Sequence, residues 1–181
     1  MLTTLTVFLA NYLIYLDVLA GAVVIAYLLY RRPRCSAFRW AAAAAVIGVL
    51  SLLFVQTGGL LYNDPRPFVV GHFQPLISHP ADNGFPSDHA LLAAALVAVV
   101  ALVDTAWAFP FALLAIVIDS ARVGAGIHHV IDVVGSSVFV ALATLIALLF
   151  SPLLVRWLAP HLPHWVSGQL SPRETEKQRR A

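Results

Sequence analysis

Residues 130–150 read VIDVVGSSVFVALATLIALLF, a run of 21 positions in which Asp132 is the one charged residue. At a rise of about 1.5 Å per residue, roughly 20 apolar residues cross the ~30 Å hydrocarbon core of a bilayer. The apolar positions are continuous and do not alternate with polar ones, as they would in a barrel strand facing lipid. This stretch therefore predicts a transmembrane helix.

Further apolar segments of the same kind occur at residues 5–30, 38–62, 87–103 and 106–124. We therefore predict an all-α integral membrane bundle of about five transmembrane helices, with a sixth left open. The first segment is longer than the core of a signal peptide, and no Lys or Arg precedes it, so we expect it to be retained.

The composition agrees with a membrane protein. Hydrophobic residues make up 60% of the chain and charged residues 11%, whereas a soluble domain carries about 25% charged residues. This excludes a soluble globular protein, a disordered chain and a nucleic-acid-binding domain. One cysteine, Cys35, permits no internal disulfide bond.

The chain is predicted to form a single membrane-embedded domain over residues 1–170. Residues 171–181, SPRETEKQRRA, are polar and predict a disordered cytoplasmic tail. Residues 152–165 contain three prolines, so we expect this stretch to lie at the membrane interface and not to span.

Basic residues near the ends of the spans predict the orientation, because cytoplasmic loops are enriched in Lys and Arg. Nine of the eleven basic residues flank the side formed by the loop after the first segment and the region after the fifth. Those nine are Arg31, Arg32, Arg34, Arg39, Arg156, Arg173, Lys177, Arg179 and Arg180. We expect that side to be cytoplasmic, and the loops that hold Arg66 and Arg122 to face outward.

The first polar cluster on the predicted outer side reads NDPRP at residues 63–67. Prolines on both sides of Arg66 restrict the backbone and aim the guanidinium group, whose planar fork suits a phosphate or a carboxylate. The alternative is an arginine that extends to the membrane interface.

The second cluster reads GFPSDH at residues 84–89 and begins the third apolar segment. Ser87 is a candidate N-cap, and the free amides of a helix N-terminus form an anion site. Asp88 would favour the helix dipole or bond a neighbour, and His89 would project from the first turn. The alternative is an ordinary helix cap.

The third cluster has the pattern Arg122-x5-His128-x3-Asp132. Residues four apart share one face of a helix, so we expect Asp132 to accept the proton of one His128 ring nitrogen and to leave the other nitrogen free as a nucleophile. The alternative is a buried polar pair that holds helices together. With the other clusters, this set suits phosphoryl transfer through a phosphohistidine.

These motifs resemble the type-2 phosphatidic acid phosphatase superfamily, whose pattern is K-x6-R-P, then P-S-G-H, then S-R-x5-H-x3-D. Here the second motif reads PSDH at residues 86–89 and the third begins with Ala121 and Arg122. The resemblance covers residues 62–136. The family lysine falls at Gly59, and Ala121 replaces the family serine. The sequence is most similar to the bacitracin-resistance type of undecaprenyl-diphosphate phosphatase.

The resemblance implies catalytic roles for three residues. His128 attacks the terminal phosphorus, Asp132 orients His128, and His89 protonates the leaving oxygen and then activates water. The residues implied in binding the substrate phosphate are Arg66, Ser87, Arg122 and Asp88. His79 and Asp82, in the loop before the second motif, are candidate headgroup contacts. Neither a metal nor another cofactor is expected, because the dense Cys or carboxylate set of a metal site is lacking.

The function implied is hydrolysis of undecaprenyl diphosphate to undecaprenyl phosphate and inorganic phosphate at the outer face of the plasma membrane. Such a reaction recycles the lipid carrier of peptidoglycan synthesis and confers bacitracin resistance. The expected partners are a polyprenyl diphosphate and the lipid bilayer, with no nucleic acid; the oligomeric state stays open. The alternatives are a phosphatase of phosphatidylglycerol phosphate or phosphatidate, a non-enzymatic anion transporter and, more weakly, a metal site at His89, His128 and Asp132.

Overall fold

A computed structural model of the protein describes residues 1–161, and at positions 34, 35 and 159 it describes the backbone alone. Long helices dominate this part of the chain and no strand lies within it, so the predicted all-α membrane bundle is confirmed. The elements are α1 (Leu2–Tyr30), α2 (Arg34–Leu61), α3 (Pro67–Val70), α4 (Asp88–Ala101), α5 (Thr105–Gly124) and α6 (Val130–Leu158), followed by a 3₁₀ turn (Ala159–His161).

Four of the helices, α1, α2, α5 and α6, are long and apolar enough to cross a membrane. The predicted third span is shorter than expected: α4 has 14 residues, which at about 1.5 Å each cover about 21 Å. Helix α4 does not fill the apolar run of residues 87–103. Ser87 is its N-cap, the helix ends at Ala101, and Asp104 already caps the start of α5. The described chain contains no sixth helix of membrane length beyond these.

The last helix is longer than the sequence suggests. α6 continues through Pro152 to Leu158, so the part of residues 152–165 that the structure describes begins as a helix and not as a separate interfacial stretch. Proline removes one backbone hydrogen bond and crowds the preceding turn, a cost that membrane helices tolerate. Residues 162–165, the domain boundary at 170 and the predicted tail lie outside the described residues.

Helix α4 is the centre of the bundle because it contacts α1, α2, α5 and α6, while α1 also packs on α5 and α2 on α6. Small residues line these contacts: Ala90 and Ala93 of α4 and Ala121 of α5 are buried. Such residues let helix backbones approach closely, which is how membrane helices associate. Larger apolar side chains such as Leu145 and Leu148 of α6 point outward.

The chain direction brings the three polar clusters to one end of the bundle. Residues 63–67 follow the end of α2, residues 84–89 open α4, and residues 122–132 join α5 to α6. A short antiparallel bridge between Pro65 and Asn83 draws the first two clusters together. The fold therefore gathers the predicted site residues without a dedicated domain.

Candidate active site

His128 lies in the turn between α5 and α6 and is 3% exposed. The turn reverses at Gly126, whose φ of +77° favours glycine. The Nδ1 atom of His128 lies 3.1 Å from the Oδ2 atom of Asp132, a fully buried carboxylate. If Nδ1–H donates to this carboxylate, the Nε2 atom keeps its lone pair for an incoming electrophile.

The contact between His128 and Asp132 is the one the sequence predicts, but its geometry is different. His128 precedes α6, which begins at Val130, so the two residues do not share a helix face. Instead, Asp132 in the first helical turn reaches back, and its Oδ2 also accepts the backbone N–H of His129 at 2.9 Å. The carboxylate thus holds both the His128 ring and the start of the helix.

Two buried guanidinium groups flank the free nitrogen of His128. The Nη1 atom of Arg66 and the Nη2 atom of Arg122 each lie 3.4 Å from Nε2 of His128. Arg66 is 5% exposed and Arg122 4%, so Arg66 does not extend to the interface, as the alternative reading required. Positive charge on both sides of Nε2 suits the oxygens of a phosphoryl group.

Both arginines are fixed by hydrogen bonds to the backbone. Arg122 Nη1 donates to the carbonyl oxygen of Ala10 in α1 at 3.0 Å, and Arg66 Nη1 donates to that of Ile127 at 2.9 Å. These bonds preorganise the guanidinium groups before any ligand arrives. The site draws on α1 as well as on the motif-bearing segments.

Ser87 caps α4 as the sequence predicts, since its hydroxyl accepts the N–H of Ala90 at 3.4 Å. Ser136 of α6 links this cap to the first turn of α6: its hydroxyl lies 2.9 Å from the backbone carbonyl oxygens of both Ser87 and Asp132. The N-terminus of α4 is therefore held beside His128.

A cavity of about 390 Å³ opens at this end of the bundle. The predicted site residues that line it are Arg66, His79, Asp82, Asp88, His89, Arg122 and His128. Ser87 and Asp132 are buried beneath its wall. The side chain of Asp88 can only accept hydrogen bonds when ionised, so its contribution to holding a phosphate would come through the backbone at the helix start.

The two candidate headgroup residues contact the site directly. Asp82 accepts a hydrogen bond from Nε of Arg66 at 2.6 Å, and the His79 ring packs edge-on against His128 with 6.3 Å between ring centroids. Their contact with a headgroup stays a prediction.

Burial and charge tune the ionisable groups around the cavity. Burial lowers the pKa of His128; the hydrogen bond that its ring donates to Asp132 opposes this, and the charges of Arg122 and Arg66 add to the lowering. Burial and Arg66 likewise lower the pKa of His79. Burial would raise the pKa of Asp82, but the hydrogen bond and charge of Arg66 outweigh it and the net pKa is lowered. The lowered pKa favours the neutral form of His128, which is the form a nucleophile needs.

Asn83 organises the loop, a role that the sequence does not predict. Its Oδ1 atom accepts the N–H groups of Asp64 at 2.8 Å and Phe85 at 3.0 Å, and its Nδ2 atom donates to the carbonyl oxygens of Gly59 and Tyr62 at 3.0 Å each. The Asn-Gly pair at residues 83–84 is a turn signal, but its four partners could not be read from it.

The sequence also does not predict the pair formed by His129 and Asp64: Nδ1 of His129 lies 2.9 Å from Oδ2 of Asp64. One ligand-type atom each from Asp64, His129 and Asp132 lie within 4.8 Å of one another. These residues already bond one another through hydrogen bonds, so the set suits a network in which the His129 ring and backbone join the two carboxylates.

Gly59, at the position of the family lysine, has no side chain. A Cβ atom on Gly59 would lie 3.4 Å from the carbonyl oxygen of Phe85, an ordinary contact. The α2 residues that line the cavity are Val55, Gln56, Gly59 and Leu60, so no cation from the described part of α2 replaces the lysine.

The sequence profile of the PAP2 superfamily matches residues 38–156. Over 111 residues the chain is 32% identical to undecaprenyl-diphosphatase BcrC of Bacillus subtilis, covering 61% of this chain and 58% of that protein. Over 181 residues it is 30% identical to a protein of Bacillus licheniformis named bacitracin transport permease protein BcrC, covering 99% of this chain and 82% of that protein. No solved structure gives a significant match.

Proposed function

This chain belongs to the PAP2 superfamily, and we propose that it is a membrane phosphatase that hydrolyses undecaprenyl diphosphate to undecaprenyl phosphate and inorganic phosphate. The observation that carries the proposal is the environment of His128. Its Nδ1 is directed at a buried carboxylate, and its Nε2 lies 3.4 Å from each of two guanidinium nitrogens.

The reaction proceeds in two displacements. Nε2 of His128 attacks the terminal phosphorus, a P–N bond forms, and the bond from phosphorus to the bridging oxygen breaks. That oxygen takes the electron pair and a proton from His89, and undecaprenyl phosphate leaves. His89, now neutral, removes a proton from water, which attacks phosphorus; the P–N bond breaks and its electron pair returns to His128.

Arg66 and Arg122 act on the charge that gathers on the phosphoryl oxygens in both steps. Groups held in place before the reaction stabilise such charge without reorganisation, and losing one donor of this kind costs about 10²–10³-fold in rate. Asp132 keeps the His128 ring in the productive tautomer and balances the charge on the ring in the phosphohistidine.

The membrane setting supports a lipid substrate. The cavity lies at one end of a bundle whose helices are long and apolar enough to span, so a diphosphate can reach it while its tail stays in hydrocarbon. The distribution of basic residues supports a plasma-membrane orientation with the site outward and the C-terminus cytoplasmic. There the enzyme would recycle the lipid carrier and counter bacitracin. The name of the first relative describes an undecaprenyl-diphosphatase, and the name of the second refers to bacitracin.

The name of the B. licheniformis relative describes a permease, and transport is therefore the second candidate. The oriented histidine favours hydrolysis, because a binding site for transport needs no imidazole directed by a carboxylate. The motifs recognise the phosphoryl group and not the tail, so glycerolipid monophosphates stay competing substrates.

The test uses purified protein in detergent with a chelator present, and phosphate release from undecaprenyl diphosphate, phosphatidylglycerol phosphate and phosphatidate. We expect the highest kcat/KM with the polyprenyl diphosphate. His128→Ala should lower kcat by more than about 10³-fold, and His161→Ala, at an exposed histidine of the terminal 3₁₀ turn, should not.

An acid-labile phosphoenzyme should be trapped in wild type and absent in His128→Ala. Wild-type turnover in that variant would remove His128 as the nucleophile. Flux of anions or of bacitracin into liposomes without any hydrolysis would favour the permease instead.

A further inference from the structure

We infer that His129 and Asp64 form a positioning pair that fixes the direction in which His128 meets phosphorus. This rests on the proposed phosphatase function. Neither residue belongs to the motif positions assigned above to chemistry, and the ring of His129 is held away from the His128 ring by its bond to Asp64.

His129 makes two hydrogen bonds with different parts of its structure. Its ring Nδ1 bonds Oδ2 of Asp64, and its backbone N–H donates to Oδ2 of Asp132, each at 2.9 Å. The His129 side chain therefore anchors the residue whose backbone N–H holds the carboxylate of Asp132, and that carboxylate in turn contacts the His128 ring. A movement of this ring would shift both the backbone next to His128 and its hydrogen-bond acceptor.

Asp64 is a fixed anchor. Its backbone N–H donates to Asn83 Oδ1 and its carbonyl oxygen accepts the N–H of Gly84, both at 2.8 Å. A Cβ atom on Gly84 would lie 3.0 Å from Oδ2 of Asp132, so this loop passes directly against the carboxylate. Through Asp64, the junction between α2 and α4 supports the start of α6.

The nucleophile is consequently held through both of its neighbours in the chain. The carbonyl oxygen of Ile127, before it, accepts a hydrogen bond from Arg66 at 2.9 Å, and the ring of His129, after it, bonds Asp64. Both ties lead to the same short segment, residues 64–66. Holding a turn on each side restricts rotation of the peptide planes and hence the aim of the imidazole between them.

A displacement of about 1 Å at a reacting atom can cost about 10²-fold in rate. We expect His129→Ala to lower kcat by about 10- to 100-fold with KM within about threefold of wild type, because the phosphate-binding arginines stay in place. His129→Asn places an amide N–H close to the position of Nδ1 and should recover most of that loss.

The second arm changes the other partner. Asp64→Ala should give the same loss as His129→Ala, and the double variant should be no worse than either one, since partners in one bond are not additive. Asp64→Asn, which keeps an uncharged acceptor oxygen, should fall between, and it serves if Asp64→Ala does not fold. The rate of phosphoenzyme formation in a single turnover should fall in step with kcat.

The control is His72→Asn, the same substitution at an exposed loop histidine with a φ of +50° that asparagine accepts. It should change neither kcat nor KM. Wild-type kcat in folded His129→Ala, additive losses in the double variant, or no recovery in His129→Asn would each overturn the pair. So would loss of wild-type activity on chelation, which would make the cluster a metal site.

The two proposals fail separately. If wild type does not release phosphate, or His128→Ala stays active, the phosphatase mechanism itself is wrong. If wild type is active, His128→Ala is inactive and the His129 variants behave as wild type, only the positioning pair is wrong.

Discussion

Two buried carboxylates, at the site and in the middle of α1, differ in what surrounds them. Asp132 is 0% exposed and Asp17 is 1% exposed. The Asp132 carboxylate contacts the ring of His128 and the backbone N–H of His129. Neither oxygen of Asp17 has a hydrogen-bond partner within residues 1–161.

The reason is the state of the backbone near each carboxylate. Asp17 lies inside a continuous helix of 29 residues, where N–H groups are already bonded along the helix. Asp132 lies in the first turn of α6, directly after the turn that follows α5, so the ring of His128 and the backbone N–H of His129 are available to bond its carboxylate. The two carboxylates therefore differ in the partners that the fold supplies.

The largest effect should come from one substitution made at both positions. Asp132→Asn replaces the carboxylate that selects the His128 tautomer with a neutral amide, which can also donate to Nδ1 and so favour the wrong tautomer, and we expect kcat to fall by about 10³-fold or more. Asp17→Asn should leave kcat within about twofold of wild type. Phosphate release from the proposed substrate, with the thermal midpoint of each variant in detergent, measures both.

A comparable loss of kcat in folded Asp132→Asn and Asp17→Asn would contradict the comparison, because Asp17 would then affect the reaction although its carboxylate has no hydrogen-bond partner within residues 1–161. Full activity in both variants would also contradict it, because Asp132 would then not be needed for the reaction.

The pH profile gives the next largest effect. In the proposed mechanism neutral His128 is the nucleophile, and its pKa is lowered from the usual 6.5, so protonation of His128 should not limit kcat/KM near pH 7. The value of kcat/KM should fall about tenfold per unit as pH drops through the lowered pKa. The hydrogen bond that the His128 ring donates to Asp132 raises that pKa, so the acid limb of the activity that remains in Asp132→Asn should shift to lower pH, while Asp17→Asn keeps the wild-type limb. An acid limb above pH 6.5 in wild type would contradict this.

The sequence predicts the helices and the site to different depths. Each apolar run contains a helix, and in four of the five runs that helix is long and apolar enough to cross the hydrocarbon, while the third run holds the 14-residue α4. The inward faces were not predictable, since lipid-facing and core-facing side chains are both apolar; Leu145 faces outward and Ala143 inward on the same helix.

For the site, spacing predicted which residues meet but not how they meet. The contact of His128 with Asp132 follows from the motif, yet it forms across a turn and not on a helix face. The bonds of Asn83 and the pair of His129 with Asp64 depend on the path of the loop through three dimensions. No local pattern records that path.

A smaller effect is expected where the family lysine is missing. A side chain at Gly59 fits and would project beside the cavity, so Gly59→Lys should lower KM for the diphosphate by about two- to tenfold, since a tenfold change corresponds to about 1.4 kcal/mol. Gly59→Met, of similar length without charge, is the control and should leave KM unchanged. Equal effects of the two variants would attribute the change to helix stabilisation and not to charge.

The smallest effect is on stability, at the carboxylate without partners. Asp17→Ala removes an unsatisfied buried group, worth about 1–3 kcal/mol, and improves helix propensity, while the small cavity left behind offsets part of the gain. We expect the free energy of unfolding to rise by about 1 kcal/mol, seen as a higher thermal midpoint in detergent with kcat unchanged. Asp104→Ala is the matched control with the opposite sign, because its carboxylate caps α5 by accepting the N–H groups of Ala106 at 2.9 Å and Trp107 at 3.4 Å, and losing such a cap costs about 1 kcal/mol. A lower midpoint for Asp17→Ala would mean that the Asp17 carboxylate has a hydrogen-bond partner in the membrane-embedded protein. Asp17 and Asp132 would then differ in their role in the reaction and not in whether their carboxylates have partners.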